Sequence, residues 1–145
     1  DYLNQTNFNI KVAIVRDPID RIKSVYADRI LKKNRENYKE LYPTFGDFTK
    51  HFVEIMSTKN DIYYHACPQY LQLGDNINVF DKVYNTTQIN EEFKKSIEKL
   101  YNIKIPSAVH NSSGLSNFEI TKSQKDFYYE YYKKDFEIFG DFFIL

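Results

Sequence analysis

The chain has 145 residues, 42% of them hydrophobic and 17% aromatic, which is enough apolar material for one core and too little length for two ordinary domains. Twenty Lys and Arg balance twenty Asp and Glu, so no overall field draws the protein to nucleic acid or an anionic membrane, and any anion site must be local. The single cysteine, Cys67, excludes an intramolecular disulfide framework and a Cys-based metal cluster, and no apolar run approaches the ~20 residues needed to cross a bilayer.

The N-terminus "DYLNQTNFN" lacks the basic and apolar regions of a signal peptide. The chain therefore reads as one soluble domain over residues 1–145, and its start without Met beside a strand pattern suggests a piece of a longer protein. The apolar, β-branched run 10–15 is the expected first strand, covered on both faces as in a parallel sheet. Arg16 ends it. Asp17 suits an N-cap and Pro18 the first helical position, so a helix is expected over 18–33. At about 100° per residue, Ile19, Ile22, Tyr26 and Ile30 share the face that packs on the sheet, while Asp17, Arg21, Ser24 and Asp28 share the opposite one.

Thr44 with Asp47 resembles a capping box, and Phe45, Phe48, Phe52 and Ile55 continue at helical spacing, giving a helix over 45–57. The stretch "NDIYYHACPQYLQLGDN" reads as irregular because of Pro68 and Gly74. Residues 79–84, "VFDKVY", read as a second strand. A helix over 90–101 comes next, with Phe93, Ile97 and Leu100 on its core stripe. After the polar loop "KIPSAVHNSSGLSNFE", Thr121 and Gln124 cap a last helix that Gly140 should stop at Phe139. In it Tyr128, Tyr132, Phe136 and Phe139 read as a buried stripe rather than a stacking platform for bases. The alternation of strand and helix is an α/β signature.

The strand-to-helix edge at Arg16 is the first place to look for chemistry. Helix-start N–H groups and the helix dipole favour an anion, and a guanidinium adds a fork matched to phosphate oxygens. The competing reading is a plain turn in which Arg16 pairs with Asp17 or Asp20. Gly46, Gly74, Gly114 and Gly140 lie far apart, which excludes a Walker-type loop and a dinucleotide fingerprint within these residues. His51 reads as a structural residue in a helix. His65 lies in the irregular stretch, where function is more plausible, and His110 opens "HNSSG", a cluster of short polar side chains. No histidine has a second ligand at metal spacing, so no metal is expected. Asn4, Asn85 and Asn111 each open an Asn-x-Ser/Thr sequence that could accept glycan in a secretory compartment, but in so Asn-rich a chain one or two arise by chance, and they do not decide the compartment.

"VAIVRDPIDRIKSVYADRI" resembles the 3′-phosphate motif of the carbohydrate sulfotransferases that use 3′-phosphoadenosine 5′-phosphosulfate (PAPS). "YYHACPQ" is similar to that family's His-x-x-Pro stretch, "FDKVYNTTQINEEF" to its strand leading into a helix, and "FYYEYYKKDFEIFGD" to its closing Tyr-rich helix with Asp-x-x-x-Phe-Gly.

The resemblance implies a partial P-loop-NTPase-like sulfotransferase fold, a small parallel sheet flanked by helices. It implies that Arg16 and Ser24 bind the 3′-phosphate of PAPS, with Arg21, His110 and Ser113 as further candidates, and that His65 is the candidate base. The acceptor would be a carbohydrate hydroxyl and the product adenosine 3′,5′-bisphosphate. The family's upstream 5′-phosphosulfate loop has no counterpart in these residues, which keeps a non-catalytic nucleotide-binding or protein-interaction domain as the alternative. An exposed sheet edge would favour a homodimer. The compartment stays open between a Golgi lumen and a cytoplasm.

Overall fold

The computed structural model describes residues 10–89, 91–102, 104–105 and 116–143. Strand β1 (Val12–Val15) and strand β2 (Lys82–Asn85) form a two-stranded parallel sheet. Val12 lies opposite Lys82 and Val15 opposite Asn85, so both strands end at one edge. A parallel pair requires a long crossover, and the intervening chain supplies it as helices.

Helix α1 (Pro18–Val25) begins as expected, with Asp17 as cap and Pro18 in the first turn. It runs directly into a π-helical stretch, Tyr26–Lys32, followed by a 3₁₀ turn (Arg35–Asn37) and α2 (Tyr38–Leu41). The helix expected over 45–57 is two, α3 (Phe45–Lys50) and α4 (Phe52–Thr58), because His51 leaves helical geometry at φ −99°, ψ 7°. The Thr44–Asp47 capping box forms in full.

The stretch expected to be irregular instead holds α5 (Asn60–Ala66) and α6 (Tyr70–Leu73). Pro68 and Gly74 act as boundaries outside these helices, not breakers within them. Cys67 is extended (φ −61°, ψ 149°), as a residue before proline prefers, and Gly74 closes α6 at φ +85°, where only glycine is unstrained. A 3₁₀ turn (Ile77–Val79) capped by Asn76 delays β2 relative to the expected start. Then come a 3₁₀ turn (Thr86–Gln88) and α7 (Glu91–Tyr101), on which Phe93 meets Tyr84 edge-on at 4.6 Å. The side chain of Leu100 lies outside the described residues.

The last helix is also two, α8 (Lys122–Tyr131), opened by the Thr121–Gln124 capping box, and α9 (Lys133–Phe139), joined at Tyr132. Gly140 takes ordinary right-handed geometry (φ −53°) and leads into a 3₁₀ turn, Gly140–Phe142.

Ile22, Tyr26 and Ile30 are buried, as the wheel of α1 requires. They pack on helices rather than on the sheet, which corrects the expected layering. The Tyr26 ring lies 5.4 Å from both Phe45 and Phe48, and Phe52 meets Tyr128 at 5.2 Å and Tyr131 at 4.9 Å, mostly edge to face. Among the described residues the sheet has two strands, too narrow to back such a core, and Ile14 on β1 is 49% exposed. Tyr128, Tyr132 and Phe139 are buried and Phe136 packs against the core, so the C-terminal aromatic run is core. The class is α/β with helix predominating, and no helix among the described residues is long and apolar enough to cross a membrane.

Candidate functional site

The helix start beside Arg16 is closed by its own aspartate. Asp17 Oδ1 accepts from the N–H of Ile19 at 2.8 Å and of Asp20 at 3.0 Å. Arg21 N–H donates to the Asp17 carbonyl at 2.9 Å, and Pro18 has no N–H. The free backbone donors expected here are therefore already used, and an anion at this edge falls to side chains. Burial pushes the Asp17 carboxyl up, against the downward pull of its two N–H donors.

Arg16 is half-buried, and its guanidinium makes no hydrogen bond or ion pair among the described residues, so the alternative pairing with Asp17 or Asp20 does not form. Its backbone is held on both sides. Arg16 N–H donates to Gln69 Oε1 at 2.9 Å, and Gln69 Nε2 donates to the Arg16 carbonyl at 2.8 Å. Gln69 is itself fixed by Asp135, which is fully buried and accepts from the N–H of Gln69 at 2.7 Å and of Tyr70 at 2.9 Å.

Arg21 Nη1 donates to the Cys67 carbonyl, and Tyr132 Oη donates to the neighbouring Ala66 carbonyl at 2.6 Å. Burial raises the Tyr132 hydroxyl well above the ordinary tyrosine range, so it stays a donor. The segment 66–70 is thus a hub to which Arg16, Arg21 and the C-terminal helices all bond. Ser24, one turn beyond Arg21, is half-buried with no hydrogen-bond partner among the described residues.

At the matching end of β2, Asn85 is buried. Its Nδ2 donates to the Phe142 carbonyl at 2.8 Å and its Oδ1 accepts from Thr87 N–H at 3.0 Å. The amide of this Asn-x-Thr sequence is therefore withdrawn from modification in the folded chain.

His65 faces a different neighbourhood. Its Nε2 contacts Arg29 Nη2, and Arg29 also pairs with Asp28 at 3.2 Å and with Asp61 at 3.2 Å. Burial and then the Arg29 charge hold the imidazole below its usual range. A guanidinium only donates, so Nε2 accepts and the ring proton sits on Nδ1. His51 is exposed and its Nδ1 donates to the Asp47 carbonyl at 2.9 Å, a local cap contact. His110 and Ser113 lie outside the described residues. Among the described residues no group of three or more His, Cys, Asp or Glu could hold a metal ion.

Gln69, which closes "YYHACPQ", and Asp135, the acid of Asp-x-x-x-Phe-Gly, are the residues to which sequence reasoning gave no role. Asp135 had a signal, because it stands three residues after Tyr132 and four before Phe139, an acid on the buried stripe. Gln69 had none, since its partner is 53 residues away.

A family model described as "Sulfotransferase family" matches residues 2–142. No curated protein and no solved structure gives a significant match.

Proposed function

The chain belongs to the sulfotransferase family, and on that premise we propose that it moves a sulfuryl group from PAPS to a hydroxyl of a carbohydrate acceptor. The observation that carries the assignment of the nucleotide site is Arg16. A guanidinium with no hydrogen bond or ion pair among the described residues, on a pinned backbone at the carboxyl edge of a parallel pair, suits phosphate oxygens. Arg16 and Ser24 are assigned to the 3′-phosphate. Arg21 spends one nitrogen on the Cys67 carbonyl and keeps donors for the same anion. His110 and Ser113 are assigned as further donors.

In the transfer, a bond forms from the acceptor oxygen to sulfur as the bond from sulfur to the 5′-phosphate oxygen breaks. The hydroxyl proton passes to a base, and adenosine 3′,5′-bisphosphate is the product. His65 is the proposed base. Burial and the Arg29 charge hold its pKa down, which favours the neutral form a base needs, and it takes the proton at Nε2 only by exchanging Arg29 for the acceptor hydroxyl.

Adenosine 3′,5′-bisphosphate at about 100 times its Kd should stabilise the fold by about 2.7 kcal/mol, read as a rise in Tm. Arg16→Ala should abolish that rise, and an unchanged rise would sink the assignment of Arg16. Transfer of label from PAPS to a glycan panel tests the reaction itself. Binding without transfer to any acceptor would favour the non-catalytic nucleotide-binding reading.

A further inference from the structure

We infer that Gln69 is a positioning residue for recognition of the 3′-phosphate, acting through Arg16, with Asp135 fixing Gln69 in turn. This rests on the assignment of Arg16 to that phosphate. A strand residue normally has its N–H and C=O satisfied by a neighbouring strand. At Arg16, just past the end of β1, the side-chain amide of Gln69 satisfies both, imitating a peptide unit. With both backbone groups held, the Cα–Cβ direction of Arg16 is set, and only its side-chain torsions remain free.

The hold is built to be stiff. Gln69 is 6% exposed, and Asp135, which accepts from the N–H groups of Gln69 and Tyr70, is fully buried. Truncation of Gln69 removes both bonds at once, and water admitted to the space it leaves is not tied to Asp135 in one orientation, so the Arg16 backbone loses its fixed partner. Three segments far apart in sequence therefore converge on the orientation of one guanidinium.

The test is a double-mutant cycle on nucleotide selectivity. Affinities for adenosine 3′,5′-bisphosphate and adenosine 5′-phosphate are measured by calorimetry for wild type, Gln69→Ala, Arg16→Ala and the double variant. Gln69→Ala should lower the preference for the 3′-phosphorylated nucleotide about ten-fold, the range of a lost charge-assisted contact. Added to Arg16→Ala, it should produce no further loss. Losses that simply add would overturn the role of Gln69 while leaving Arg16 in place. A wild type with no preference for the 3′-phosphate would overturn the site itself and this role with it. Gln69→Glu keeps the shape and the bond to Arg16 N–H but sets a carboxylate against the Arg16 carbonyl. It should lower the same preference without loss of fold, so a full preference in folded Gln69→Glu also counts against the inference.

Discussion

The helical side of the molecule and the edge of its sheet are held by different forces. On the helical side, Tyr26 meets the rings of α3, which in turn meet those of α4 and α8, and the contacts are apolar and mostly edge to face. At the sheet edge, position comes from single polar bonds: Asp17 to the start of α1, Gln69 to Arg16, Asp135 to Gln69, Asn85 to the Phe142 carbonyl. Packing energy is large but tolerant of small shifts, whereas a two-point amide grip fixes an orientation with little energy. The difference separates what keeps the chain folded from what aims its candidate site.

Substitution can break this contrast. Phe52 is fully buried among five aromatic rings, so Phe52→Ala should cost about 3–5 kcal/mol in a denaturant titration. The nucleotide affinity of the remaining folded fraction should be unchanged; a parallel loss of affinity would show that the two sides are not separate.

At the edge the stability effects should be smaller. Asp17→Ala should cost about 1 kcal/mol as a lost cap. Asp17→Asn keeps the cap and removes a buried charge. Because the folded carboxyl is raised, ionised Asp17 is penalised above its unfolded value of about 3.9. The Asn variant should therefore equal or exceed wild type in Tm at pH 7, with the difference closing as the pH falls through the carboxyl range. An Asn variant as weak as Ala would mean that the charge, not the cap, matters.

The smallest effect belongs to His65. Its folded pKa is lowered, so the unfolded chain binds the proton more readily, and stability should fall as the pH drops below the unfolded value of about 6.5 toward the folded one. His65→Gln should remove this component from Tm measured across pH 5 to 8, and a profile unaltered by the substitution would detach His65 from the Arg29 cluster.

Local features were legible in the sequence because their partners are near. The Asp17 cap, the Thr44–Asp47 and Thr121–Gln124 boxes, and the buried stripe of α1 all lie within a turn or two of chain. Helices α5 and α6 were missed because Pro68 and Gly74 carry the same residue types whether they break a helix or border one. The expected burial of α1 against the sheet failed for a different reason: a helix wheel says which face is buried and not what covers it. The bonds of Gln69 and Asp135 span 53 and 66 residues, so an acid on a buried stripe can be seen at Asp135 while its partner cannot. Of the expected site, Arg16, Arg21 and Ser24 lie on one continuous strand-to-helix joint, with both arginines engaging the segment 67–69. His65 stands apart in the Arg29 cluster.

The self-capped start of α1 has a consequence for how this joint can change. In a helix whose open N–H groups hold a ligand, the ligand site and the end of the helix are one object, and altering either alters both. Here Asp17 completes the helix by itself, so the residue at 16 can be exchanged without fraying the first turn of α1. Specificity at this edge is free to drift, or to be redesigned, one side chain at a time on a joint that needs no ligand to hold its shape.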